Sequence, residues 1–320
     1  MLKIIESFAS RPGLPVNSPA WPHVFVHPRW MQTWWDVFGN GAKPHVVALE
    51  KDGAVVGVAP LSLKDATASF VGDPEICDYL DFWTVPGLET EFFQNLLEYL
   101  PGRGVGALDL RRLRPESPAL SCLTAAAEKI GASVTLEPDG SSWELELPEN
   151  WDLYLDSLAG KQRHELRRKL RRLDEAGRVD FTALEDVKAV SDGFDVFLAM
   201  FTDSRADKAA FMNPRMEAFF RSMFPAMAEE GLLKLFLLRL DGRPAAAAAC
   251  FDYRGGLYLY NCGYDPQYGN LSVGFLCKVL SLKYAMTAGR KKYDFLTGDE
   301  PYKQRLGGRE VRLTRCRLTF

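Results

Sequence analysis

The stretch "YDFLTGDEPYKQRLGG" places Gly298, Asp299, Glu300, Pro301, Tyr302 and Lys303 directly after a short apolar strand, Tyr293 to Leu296. Two acids, a phenol and an ammonium crowded beside a buried strand need partners or a ligand, so such a mixture marks a site. The plain alternative is that Asp299 and Glu300 pair with Lys303, Arg305 or Lys292. Upstream, "YLYNCGYDPQYGNLSVGFLCKVL" turns a strand into a helix through Asp265-Pro266, Gly269-Asn270 and Ser272-x-Gly274. Glycines beside a capping residue let several backbone N–H groups point at one anion, and a phosphate suits that position. An ordinarily capped helix explains the same residues without a ligand. Cys262 has no histidine in its motif to activate it, and a buried thiol is the commoner fate.

A second charged feature is "KQRHELRRKLRR", residues 161–172, with seven Lys or Arg against the single Glu165. That is a local charge of +6 in a chain of net charge −3, which leaves −9 elsewhere. Leu166, Leu170 and Leu173 form one narrow seam, so the cations cover the rest of a helix. An anionic partner for Arg163, Arg167, Arg168 and Arg171 is expected from such a block: a nucleotide-activated sugar, coenzyme phosphates, tRNA or an acidic membrane surface touched peripherally.

The elements that position these residues occur twice. "HVVALEKDGAVVGVAPLSL" is two strands joined at Asp52-Gly53, and "LLKLFLLRLDGRPAAAAACFDY" repeats it at Asp241-Gly242, an offset of 189 (241 − 52). Asp-Gly supplies the turn conformation that tight hairpins need. Further strands and a helix follow each hairpin, and the break at Gly102-Arg103 before "ALDLRRL" matches Gly289-Arg290 before "YDFL". One helix is expected from about Trp151 to Ala176, with others near 190–202 and 214–229. At 320 residues two domains are expected, 1–142 and 143–320, the second with the basic helix 161–172. The first copy has no glycine-serine helix start between Leu88 and Leu97 and is expected to be degenerate for cofactor binding.

Six scattered cysteines, four dispersed histidines and no apolar run of about 20 residues point to a reduced, cytoplasmic protein without a protein-built metal site or a membrane span. The N-terminal apolar stretch is interrupted by Glu6, which argues against a secretory leader. "GNLSVG" misses the spacing of a hydrolase nucleophile elbow, and phosphate-loop and dinucleotide fingerprints are absent.

The order of strands, glycine-containing turn, helix and strand resembles the GNAT acyltransferase core. Residues of about 150 to 310, and above all Gly298 to Lys303, resemble the acetyltransferase family that includes cellulose-biosynthesis-associated proteins and is distantly related to Fem-type peptidyltransferases. The resemblance implies an α/β (α+β) fold of two tandem GNAT-like domains, each a mixed, mostly antiparallel sheet flanked by helices. It implies acetyl-CoA or another acyl-CoA as donor, held by Asn261, Cys262, Gly263, Gly269, Asn270, Leu271, Ser272, Val273 and Gly274. Asp299 or Glu300 would be the base if burial raises its pKa, Tyr264 or Tyr302 would protonate the thiolate, and Lys303 would hold negative charge. The expected activity is N-acylation of an amine on a small molecule, amino sugar or cell-surface polymer precursor. Aminoacyl-tRNA-dependent peptidyl transfer is the rival, and a non-catalytic module for an anionic glycan is the reading from a different class.

Overall fold

The computed structural model describes residues 2–5 and 21–320, so Glu6 lies outside the described residues. Two compact units are present, one formed by 1–141 with 311–320, the other by 142–310. In the first, the strand order is β1 (Leu2–Ile5), β2 (Lys43–Lys51), β3 (Ala54–Lys64), β4 (Thr67–Phe70), β6 (Ala107–Leu113) and β13 (Arg309–Thr319), with β5 (Trp83–Thr84) also paired to β3. In the second the order is β8 (Val179–Leu184), β9 (Leu233–Leu240), β10 (Arg243–Tyr253), β11 (Gly256–Tyr264), β12 (Lys292–Thr297) and the end of β7 (Ser133–Glu146).

The strands of the two units follow one plan. β2, β3 and β4 are successively antiparallel, as are β9, β10 and β11. Each third strand is then joined by a crossover to a parallel neighbour, β4 to β6 and β11 to β12. A helix sits in each crossover, α2 (Glu89–Tyr99) and α9 (Val273–Thr287). Even backbone irregularities recur: Asp52 and Asp241 both have φ 50°, and Arg112 and Leu296 have φ 60° and 59°. The fold is thus a duplicated, mixed and mostly antiparallel α/β architecture. Its last strand returns to the first unit from the far end of the chain.

Residues 151–176, expected as one helix, form two. Asn150 caps α4 (Trp151–Ser157) by accepting from Leu153 N, and the chain turns extended at Leu158 and Ala159 before α5 (Gly160–Ala176). Leu158 is buried, so the break seats an apolar side chain that a continuous helix would point elsewhere. Asp186 caps α6 (Val187–Asp203), α7 (Ala206–Phe211) follows, and Asn213 with Pro214 starts α8 (Pro214–Glu229).

Neighbouring residues of β11 show how the second sheet is covered. A Cβ on Gly263 would lie 2.3 Å from Phe201 N and 2.4 Å from Met200 C, so α6 packs its backbone on that side. Cys262 Sγ lies 3.6 Å from Gly274 O of α9. Adjacent strand residues point to opposite faces, so α6 and α9 cover opposite faces of the sheet. The run Ala245 to Cys250 in β10 is fully buried, and its small side chains let both helices sit close.

β11 and β12 stay together only briefly. Their parallel pairing covers Gly256 with Lys292, Leu257 with Tyr293 and Tyr258 with Asp294. Immediately beyond, β11 carries an extra residue, Tyr260, against β10, and β12 carries Phe295 against β7. Two bulges, each bending its strand, open a wedge between parallel neighbours. In the first unit the corresponding place differs. β4 and β5 both pair with β3, as two pieces of one strand interrupted by residues 71–82. Val71, Ile76, Cys77, Tyr79, Leu80 and Phe82 of this insertion are all buried, and it is held by Arg112, which donates to Pro74 O at 3.1 Å.

β12 ends in a turn built around one side chain. Lys303, on the short helix α10 (Pro301–Arg305), is 1% exposed. Its ammonium donates to the carbonyls of Leu296 at 3.2 Å, Thr297 at 2.5 Å and Gly298 at 3.2 Å, and pairs with Glu300 at 2.9 Å. Burial alone would raise the Glu300 carboxyl, but the charge and hydrogen bond of Lys303 outweigh it and hold Glu300 below its ordinary value of 4.5.

Lys303→Met, which strands three carbonyls, should destabilise the protein by about 2–4 kcal/mol in denaturant unfolding. Because the folded carboxyl of Glu300 is depressed, its contribution is complete above pH 4.5 and is lost as pH falls through the folded value. The stability difference between wild type and Glu300→Gln should therefore shrink below that pH. Gly263→Ala should cost about 1–3 kcal/mol by overpacking against backbone, whereas Gly269→Ala, with no atom nearer than 4.0 Å to the new Cβ, should leave the midpoint close to wild type.

Candidate active site

The carboxyl ends of parted parallel strands are where open α/β sheets receive ligands. In the second unit that position is bordered by the start of α9, by α10 and by α5. A cavity of about 570 Å³ lies there, within the range of small-molecule sites. Its cations are Lys161, Lys169 and Arg305, with Glu165 the acid among them. Leu158, Leu166, Phe275, Tyr302 and Leu306 supply apolar lining.

The start of α9 is electrostatically suited to an anion. Ser272 has φ 58° and makes no side-chain cap, and the first turn carries no acid. Ser272 Oγ instead accepts from Lys169 at 2.6 Å, and Arg172 donates to Asn270 O at 3.3 Å. The helix start thus adds its own partial positive charge to two cations from α5. Gly274 is required by packing, since a Cβ there would lie 2.8 Å from the Tyr264 ring. α2 in the first unit begins with the opposite charge, Glu89 and Glu91.

The residues expected to do chemistry separate into several roles. Asp299 is exposed on the turn after β12. Glu300 is bound to Lys303 and its pKa moves down, so the expected base with a raised pKa is not found at Glu300. The Lys303 ammonium, expected to hold negative charge, donates to three backbone carbonyls inside the turn. Tyr302 lines the cavity beneath the Lys278 ammonium, 4.8 Å from the ring centre. Burial first, then the negative charge of Glu300, pushes its phenol well above the ordinary value and keeps it protonated. Tyr264 is the ring that covers Gly274.

Of the residues expected to hold the cofactor, Gly269, Asn270 and Leu271 form the 3₁₀ turn Pro266–Leu271, and Ser272, Val273 and Gly274 open α9. Asn261 pairs with Ala249 inside the sheet, and Val273 is core. Gly263 is a glycine because α6 leaves no room for a side chain. Cys262 is buried against α9; a hydrogen bond from Cys277 and the Lys278 and Lys208 charges lower its thiol pKa against burial.

Among the described residues none of Arg163, Arg167, Arg168 and Arg171 lines the cavity. Arg163 pairs with Asp156 at 2.8 Å, Arg168 grips Glu165 at 2.9 and 2.8 Å, Arg171 lies 3.9 Å from Glu175, and Arg167 is exposed. The cations that do face it were passed over. Lys161, Glu165 and Lys169 stand four apart along α5, a stripe visible in the spacing once the leucine seam is placed. No group of three or more metal-binding side chains occurs among the described residues.

Residues 160–304 match the family model described as an acetyltransferase (GNAT) domain. FemX has 14% identity, with 92% of this chain and 93% of that chain covered and a TM-score of 0.65. L-PGS from Bacillus licheniformis has 9% identity, covers 96% and 93%, and has a TM-score of 0.56. At such identity these likenesses speak for the fold alone. No curated protein sequence matches the chain significantly. The family match over residues 160–304 and the splayed, duplicated strand plan agree on a GNAT-like fold for the second unit.

Proposed function

We propose that the second unit is an acyl-CoA-dependent N-acyltransferase that moves an acyl group to an amine of a small molecule, amino sugar or cell-surface polymer precursor. The observation that carries this reading is the coincidence of the wedge with an uncapped, acid-free helix start and the cations Lys169 and Arg172. A thioester donor needs one site for its phosphates and another for its extended arm. The start of α9 suits the pyrophosphate, with Lys161 and Arg305 beside it for further phosphate charge. The parallel pairing of β11 with β12 ends at Tyr258, and the β11 edge beyond it suits the amides of a pantetheine arm. Tyr302, held protonated at the cavity wall, can give a proton to the departing sulfur.

The first unit supports no second donor site in this reading. Residues 71–82 fill its strand interruption, and Glu89 and Glu91 would repel a phosphate from the start of α2. The aminoacyl-tRNA reading draws on the basic face of α5, but Arg163, Arg168 and Arg171 already have acidic partners.

Saturating acetyl-CoA should raise the melting temperature by a few degrees, as ligand at about 100 times its Kd adds roughly 2.7 kcal/mol. Titration calorimetry should give one donor per chain. Lys169→Ala should weaken donor binding about 10- to 100-fold, the scale of one charge-assisted contact. No shift with acetyl-CoA, free CoA or a long-chain acyl-CoA, together with steeply salt-dependent tRNA binding, would transfer the assignment to aminoacyl-tRNA-dependent transfer.

A further inference from the structure

Acyl transfer to an amine needs a group that takes a proton where amine and thioester meet, and neither acid of the Gly298–Lys303 turn is suited to it. Asp299 is exposed, and Glu300 is held ionised by Lys303. A different side chain reaches the wedge. Lys208 on α7 donates from its ammonium to the backbone oxygen of Cys262, four residues past the last β11 residue paired with β12. The same nitrogen stands 5.0 Å from the centre of the Phe201 ring on α6. Lys208 therefore enters from the α6 face, opposite the face of α9 and the cavity.

We propose that Lys208 is the catalytic proton carrier of the transfer: the acceptor amine approaches from the α6–α7 face, the thioester from the α9 face, and the Lys208 nitrogen meets both at the wedge. This rests on the donor reading above. The groups around that nitrogen favour its neutral form. Burial comes first and lowers its pKa from 10.5; the negative charge of Cys262 on β11 opposes it, the positive charges of Lys278 on α9 and of Arg205 at the cap of α7 add to the lowering, and Asp207 on α7 opposes it last.

The proton balance closes. Neutral Lys208 takes one proton from the acceptor ammonium, and the freed amine forms its C–N bond as the carbonyl electrons move to oxygen. The carbonyl then re-forms, the C–S bond breaks, and Lys208 returns its proton to the departing sulfur, directly or through Tyr302. The second proton lost by the nitrogen leaves to solvent.

Trace labelling of the full chain with acetic anhydride across about pH 6 to 11, mapped by mass spectrometry, tests this against the ordinary lysine pKa of about 10.4. Lys208 should titrate below that value, and saturating acetyl-CoA should cut its labelling several-fold while leaving exposed Lys188 unchanged. Lys208→Met should keep the thermal shift with acetyl-CoA and lose about 10²- to 10⁴-fold in kcat toward an amine the wild type acylates. An ordinary titration, or no protection despite a thermal shift, overturns the role of Lys208 alone. Absence of protection with no shift from any thioester overturns the donor reading and Lys208 with it. Full kcat in Lys208→Met also overturns the proposal.

Discussion

Parallel strands hydrogen-bonded over three residues and then driven apart are the constraint on which the second unit turns. Gly256 to Tyr258 hold β11 against β12; beyond them the bulges at Tyr260 and Phe295 bend both strands. A bulge interrupts the regular ladder, and two of them on neighbouring strands call for other partners for the backbone of a buried sheet. The surroundings answer that demand with side chains: Lys303 gathers the carbonyls of Leu296, Thr297 and Gly298, and Lys208 serves the carbonyl of Cys262. The lysines of this region are thus first of all consequences of the broken ladder.

The first unit shows another answer to the same geometric problem. Its third strand is interrupted after Phe70, and residues 71–82, with six buried apolar side chains, stand where the second unit keeps a single bulged residue. The acids at the start of α2 fit with this, because a helix start that receives no anion is stabilised by its own carboxylates. One duplicated plan has therefore been finished in two electrostatically opposite ways.

Much of the plan was legible in the chain. The Asp52-Gly53 and Asp241-Gly242 turns announce paired hairpins, and their shared φ of 50° at the aspartate is what such sequences favour. The Ser272-x-Gly274 helix start was legible for the same reason, since local turn chemistry is written in adjacent residues. The acids and lysine of "TGDEPYK" stand out in the sequence, yet their roles are not readable there. Whether Lys303 faces a ligand or three carbonyls depends on strands 296–298 bending back, a long-range outcome of β12 and β7. Lys208, in the unremarkable "SRADKAAF", carried no local signal at all, because only the packing of α6 on Gly263 brings it to the wedge.

The charge pattern of α5 shows where a sequence argument about electrostatics changes once partners are known. Counting cations makes all of the helix outside its leucine seam a binding face. The ion pairs of Arg163, Arg168 and Arg171 with acids of α4 and α5 turn much of that charge inward along the surface, while Lys161 and Lys169 point into the cavity. Exposed pairs of this kind contribute little to stability, so their main effect is on how the charge of α5 is distributed. Lys161 and Lys169, the latter also 3.5 Å from Glu165, form a narrow positive stripe running from the cavity to Ser272. In the proposed reading that stripe holds the donor from one face of the sheet, and this leaves the opposite face, with α6 and α7, open to select the amine.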